Sequence, residues 1–223
     1  MAATYKTTTD LPQVIPVFPL DALLLPGAQL PLNIFEPRYL NMIDDAMASD
    51  RMIGMIQARG GDDRERPALA QVGCVGRITA FAETNDGRYL ITITGVCRFA
   101  LGKELPAGAP YRQVQADYVP FAADLASDAE PGLGAAEREP LLIALGRYLD
   151  RRDMAVDWEA AKEAPLDALV ASLCMALPFA AAEKQAILEA EGLAGRAEVL
   201  AALLNFDAAS GERDDDDAPP AMH

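Results

Sequence analysis

Histidine is almost missing from these 223 residues: there is one, His223, at the C-terminal end. A Ser-His-Asp triad or a Cys-His pair needs an imidazole fixed by its surroundings, and a frayed terminus is a poor place for one. The HExxH zinc signature is absent too. Three cysteines, Cys74, Cys97 and Cys174, are spaced too widely for zinc-ligand pairs or a disulfide framework. No metal and no cofactor are expected. Cations are scarce as well, 19 Lys and Arg against 34 Asp and Glu, for a formal net charge of −15. Phosphate backbones are bound by clustered Lys and Arg, so nucleic acid is not an expected partner. The opening MAATYKTTTDLP lacks the apolar run of a secretory signal. The uncharged window Ala168–Ala182 falls short of the ~20 residues of a membrane span and contains Pro178. These absences predict a cytoplasmic protein that does not enter a membrane.

Nucleotide chemistry lacks its motif. The nearest string to a phosphate loop, Gly95 to Glu104, has too many residues between its glycines and Glu where a Mg²⁺-binding hydroxyl belongs. Paired acids (Asp44/Asp45, Asp62/Asp63, Asp214–Asp217) read as solvated faces, because general acid catalysis needs a buried, shifted carboxyl. Ser172 and Lys184 form a conceivable dyad. Ser172 lies among Ala and Leu without an oxyanion loop, and reads as a small residue at a helix–helix contact. Cys74 and Cys97 read as buried small hydrophobes.

What the chain does have is a run from Val14 to Tyr39, VIPVFPLDALLLPGAQLPLNIFEPRY, with five prolines and a sixth at Pro12. Proline removes a backbone donor, so this run predicts neither a helix nor a regular central strand. It is too apolar for a solvated linker. Two short strands near Val14–Phe18 and Leu30–Phe35, joined by a turn at Pro26-Gly27, satisfy both constraints. Pro37 then suits the first position of a helix. Tyr39, Met42, Ile43, Ala46 and Met47 make its apolar stripe, with Asp44 and Asp45 on the wet side.

Further on, Arg51–Gln57 reads as a strand. Gln71–Glu83 and Arg88–Leu101 read as a hairpin around Asn85-Asp86-Gly87, and Tyr111–Val119 as the last strand. Gly73, Gly76 and Gly95 inside the hairpin predict bulges and coiling. After Arg138 the pattern turns helical, over Pro140–Leu149, Pro165–Leu177, Ala180–Glu191 and Gly195–Phe206, with Gly192 as a C-cap. The expected organisation is a β-rich lobe over residues 13–120, a connecting loop over 121–138 and a helical lobe over 139–206. Residues 1–12 are expected to be loose, and residues 207–223 to form a disordered acidic tail.

The string from Pro16 to Tyr39, with its PVFPL, LLPG, LPLNIF and EPRY pieces in order, resembles the opening of the Lon N-terminal domain, the substrate-recognition module of Lon proteases. It is similar to small bacterial proteins that carry this domain alone and, more distantly, to the equivalent domain of cereblon. Gly95-Val96-Cys97-Arg98-Phe99 resembles the family's G-x-x-R-F strand. Leu177-Pro178 with Lys184-Gln185 and Leu188-Glu189 resembles its closing helices. The resemblance implies an α+β fold, in which a coiled, partly closed sheet lobe (a pseudo-barrel) precedes a helical bundle. It also implies a non-enzymatic module binding unfolded polypeptide, or docking on a protease or chaperone.

Phe35, Glu36, Arg38 and Tyr39 are the candidate peptide-binding residues, since an aromatic–Arg cluster is typical of binding hot spots. The alternative for them is structural, with Glu36 at the helix start, Arg38 paired to an acid and Tyr39 in the core. Two other functions stay open on the sequence: a hydrolase with a carboxylate-based site, and a purely structural oligomerisation unit. The sequence does not specify an oligomeric state.

Overall fold

The computed structural model describes residues 5–59, 67–106, 108–125 and 135–210. Among the described residues eight strands come first: β1 (Val14–Pro19), β2 (Gln29–Ile34), β3 (Met52–Ile56), the two-residue β4 (Ala58–Arg59) and β5 (Ala68–Leu69), β6 (Val72–Glu83), β7 (Tyr89–Glu104) and β8 (Arg112–Asp117). Helix α1 (Pro37–Met47) falls between β2 and β3. Helices α2 (Ala135–Arg151), α3 (Trp158–Glu163), α4 (Leu166–Ala176), α5 (Ala181–Glu189) and α6 (Gly192–Ser210) follow. The chain divides into two compact units. One comprises Met1–Ala129 with Met175–Glu189, and the other Glu130–Cys174 with Ala190–His223.

The sheet of the first unit runs β2-β7-β6-β3-β1-β8, and β8 also pairs with the far end of β7. That last pairing covers only Ala100 to Glu104 and is interrupted by a register shift, so the sheet curls back on itself without becoming a closed barrel. Bulges at Val75/Gly76 and Ile78/Ala80 supply the coiling. Its concave side is filled by Ile15, Val17, Val75, Cys97, Phe99 and Val114, none of which is accessible to solvent. Full burial of such side chains contributes about 1.5–3 kcal/mol each. The β6–β7 hairpin turns where Asn-Asp-Gly predicts, with Gly87 at positive φ.

The proline-rich opening corrects one expectation. β1 is an interior strand, parallel to β3 and antiparallel to β8, and it does not pair with β2. Its two ladders overlap only at Val17. The Leu20 N–H goes to Ile56 of β3, so even-numbered residues face β3 and odd-numbered ones face β8. Pro16 therefore faces β3 before that ladder begins, and Pro19 faces β8 after that ladder has ended. Neither missing donor was needed. β2 is the sheet's edge, and Pro31 turns its donorless nitrogen to the open side.

Gly95 is required by a close approach. It exchanges hydrogen bonds with Gly27 and Ala28 (3.0 and 2.8 Å), and a Cβ there would fall on the Leu25 carbonyl.

Other expectations are also corrected. The N-terminal segment is packed from Tyr5 onward. Leu11 is buried, the Arg77 guanidinium donates to the Tyr5 hydroxyl (2.7 Å), and Tyr118 donates to the Pro12 carbonyl (2.9 Å). Cys74 and Cys97 are buried, as expected, and stand one register step apart, opposite Arg98 and Val75 respectively. Burial pushes the Cys97 thiol up to about 12, which makes it inert at neutral pH.

In the helical unit α2 starts five residues before Pro140, which removes one helical donor and does not end the helix. The short α3 was not expected. Asp157 caps it, its carboxylate accepting from the Glu159 and Ala160 N–H groups. Ser172 is exposed on α4 instead of lying in a helix contact. α6 continues past Phe206 to Ser210, and Asp207 pairs with Arg152 at 2.8 Å. His223, Asp62/Asp63 and Asp214–Asp217 lie outside the described residues, as do residues 211–223 of the expected tail. Among the described residues no helix is long and apolar enough to cross a membrane.

Candidate peptide-binding groove

The chain leaves β1 at Pro19, and α1 begins at Pro37 with Glu36 as its N-terminal flanking residue. These two places lie on one side of a groove of about 660 Å³. Arg38, Tyr39, Pro19 and Ala58 line it there. Pro67, Glu104–Pro106 and Ala109–Gln113 contribute the rest of the described lining. Four prolines (Pro19, Pro67, Pro106 and Pro110) give it stiff, donor-poor walls.

Tyr39 is the anchor. Its ring is 93% buried against Phe18, with centroids 4.1 Å apart, and the Arg38 guanidinium lies 4.6 Å above it. Burial raises the Tyr39 hydroxyl above its ordinary pKa, so it is protonated at neutral pH. Arg38 donates to Glu36 from Nε (3.0 Å), and the Glu36 side chain makes no capping bond to the helix. On the far wall Arg112 grips Glu104 with two bonds (2.9 and 2.8 Å) and donates a third to the Pro67 carbonyl (2.6 Å). Tyr111 donates to Asp45 of α1 at 2.6 Å, and burial together with that bond raises its hydroxyl to about 12. Asp44 accepts from Tyr89 in the same way at 3.0 Å. The two acids of α1 are thus exposed yet tied to phenols on the sheet side.

Both guanidinium groups of the groove are matched by carboxylates. The surface offered to a ligand is therefore close to charge-neutral, built of proline, tyrosine ring and aliphatic stem. The described lining includes no histidine, cysteine or serine, and its one carboxylate, Glu104, is held by Arg112. Such a site can bind but has no group set up for nucleophilic or general-base chemistry.

The four sequence candidates separate. Arg38 and Tyr39 line the groove, and Glu36 orients Arg38. Phe35 is 62% exposed and lies within 5.8 Å of the Arg88 guanidinium, outside the groove lining. Tyr111, Arg112, Glu104 and the flanking prolines were missed. The signal for them was the Pro-Ala-Gly-Ala-Pro-Tyr string at 106–111, which reads only as a turn before a strand.

The family model described as the ATP-dependent protease La (LON) substrate-binding domain matches residues 14–205. Among curated relatives, "Lon protease 2" of Myxococcus xanthus is 32% identical over 113 residues, 49% of this chain and 14% of that protein. "Lon protease 2" of Sorangium cellulosum is 28% identical over 197 residues, 85% of this chain and 24% of that protein. The chain thus spans about a quarter or less of these relatives. Two solved structures share the fold. The Lon N-terminal domain protein from Xanthomonas campestris has a TM-score of 0.60 at 22% identity, covering 85% of this chain and 97% of that one. The N-terminal domain of Mycobacterium avium complex Lon protease has a TM-score of 0.62 at 21% identity, covering 86% and 98%.

Proposed function

Because this chain belongs to the LON substrate-binding domain family, we propose that it is a non-enzymatic recognition module that holds segments of unfolded polypeptide in the groove beside α1. The observation that carries this reading is the groove itself. It joins the exposed Arg38, seated on the buried Tyr39 ring, and the half-buried Tyr111 to four prolines, with its charges already matched. A lining of this kind contacts side chains without demanding a particular sequence. Matched rim charges give little electrostatic steering, so affinity rests on apolar contact. The partner in this reading is an unfolded polypeptide, or a protease or chaperone on which the module docks, and the working compartment is the cytoplasm.

Affinity of roughly micromolar or weaker is expected, because a disordered ligand loses chain entropy on binding. The test is titration of a fluorescein-labelled, carboxymethylated, permanently unfolded protein. Arg38→Ala and Tyr111→Phe alter the groove while leaving the buried Tyr39 in place. Phe35→Ala serves as the comparison, since Phe35 is exposed outside the lining. Groove variants should weaken binding several-fold and Phe35→Ala should not. Loss only with Phe35→Ala would move the site to the α1 entrance. No binding by wild type would remove the reading altogether. ATP hydrolysis or peptide cleavage that co-purifies with the chain would overturn the non-enzymatic part.

A further inference from the structure

The sheet unit is left twice in the chain direction, after Ala129 and again after Glu189. One buried side chain bonds to a segment ahead of each departure. Arg98, in the middle of β7, is 4% exposed. Its Nε and one terminal nitrogen donate to the two carboxylate oxygens of Asp124 at 2.8 and 2.9 Å, and its backbone N–H adds a third bond to Asp124 at 3.0 Å. Asp124 lies in the 3-10 turn Val119–Leu125, just before the first departure. The other terminal nitrogen of Arg98 donates to the Leu188 carbonyl at 3.1 Å, in the last turn of α5, one residue before the second departure. Phe121 lies 4.7 Å from the guanidinium, and its carbonyl accepts from the Cys97 thiol at 3.5 Å.

We propose that Arg98 is a latch that makes these two exits open and close as one. The guanidinium is a planar fork whose donors point in fixed, different directions, so a single cation can hold two separate chain segments. The coupling follows from burial. If the 119–125 turn peels away alone, Arg98 keeps its charge in an apolar setting without its carboxylate, which is strongly unfavourable. If the end of α5 frays alone, a buried N–H loses its acceptor. Opening both together hydrates the whole cluster and avoids either half-open state. Lysine could not substitute, having no fork. Arg98 acts here as a positioning residue, and the latch does not depend on the groove reading.

Native-state hydrogen exchange on the full chain, at low urea concentrations, tests this without any variant. In wild type the amides of 121–125 and of 186–189 should share one opening free energy and one urea dependence, distinct from those of β3 and β6. Asp124→Asn should then accelerate exchange in both segments by roughly 10- to 100-fold, with β3 and β6 changed far less. Arg98→Lys should not restore the shared behaviour. Different urea dependences for the two segments in wild type would overturn the latch. So would an Asp124→Asn effect confined to 119–125, or one equally large in β3 and β6, which would make Arg98 a general stabiliser only.

Discussion

Each unit of this protein ends a helix with an arginine, and the two arginines are set in opposite surroundings. In the sheet unit Arg98 meets the Leu188 carbonyl at the end of α5 while buried against Asp124, itself 4% exposed in the side chain. In the helical unit Arg138 reaches from α2 to the carbonyls of Ala161, Lys162 and Ala164 (3.2, 3.0 and 2.6 Å) at the end of α3. Arg138 is partly buried, and among the described residues its hydrogen-bond partners are these carbonyls, with no carboxylate among them. Both satisfy carbonyls that a helix end leaves open. The difference lies in what each would leave behind. Without Arg138, water reaches the α3 carbonyls. Without Arg98, a buried carboxylate loses a partner that grips both its oxygens.

The largest expected effect tests that contrast directly. Arg98→Met should destabilise the sheet unit by about 3–5 kcal/mol, the cost of breaking one side of a buried pair. Arg138→Met should cost the helical unit about 1–2 kcal/mol, as for hydrogen bonds that solvent can replace. Urea titration read at Trp158, the only tryptophan, follows the helical unit, and β-sheet circular dichroism follows the other. Equal costs would show that burial is not what separates the two arginines.

Alkaline pH sharpens the comparison next. The Tyr111 hydroxyl has a folded pKa raised from 10 to about 12, first by burial and then by its bond to Asp45. A raised folded pKa contributes stability that is complete below pH 10 and is lost as pH climbs through about 12. Burial raises Tyr39 and Tyr118 of the same unit as well, whereas Tyr148 is the one such tyrosine described in the helical unit. The sheet unit should therefore lose stability faster between pH 10 and 12, and Tyr111→Phe should reduce that slope. Parallel losses in both units would contradict this account.

The smallest effect is expected at Arg152, whose pair with Asp207 is more than 40% exposed on both sides. Arg152→Ala should change the helical unit by about 0–1 kcal/mol and less at high salt. A larger cost would mean that its stacking on Tyr148, at 4.7 Å, matters more than the ion pair.

Much of this architecture was legible because it is local. The Asn-Asp-Gly turn, the alternation of Ile91 and Ile93 with Thr92 and Thr94, and the α1 stripe each use neighbours in sequence, where period and turn chemistry leave a pattern. Arg98 and Asp124 are 26 residues apart, and a pair at that distance leaves no period to read. The interior place of β1 was missed because proline argues against central strands. Only the register shows that Pro16 and Pro19 fall where each ladder is absent. The groove was half legible. Arg38 and Tyr39 stood out as charge and aromatic in an apolar run, whereas the rest of the lining comes from a stretch bracketed by Pro106 and Pro110 whose sequence signals nothing beyond a bend. α3, at six residues, is too short to show a helical stripe.

The pairing of β1 with β8 has a consequence for how the molecule is made. Ile15 lies opposite Val114, so the first strand to be synthesised waits for the last strand of its sheet. At ~5–20 residues per second, translation leaves β1 without that neighbour for several seconds. Long-range closure of this kind slows folding, since loop entropy is lost before the contact forms. During the wait the nascent strand is an apolar ribbon that other chains could join. The same prolines that sit harmlessly in the finished sheet deny a stray partner a continuous row of donors, so they guard the unfinished chain.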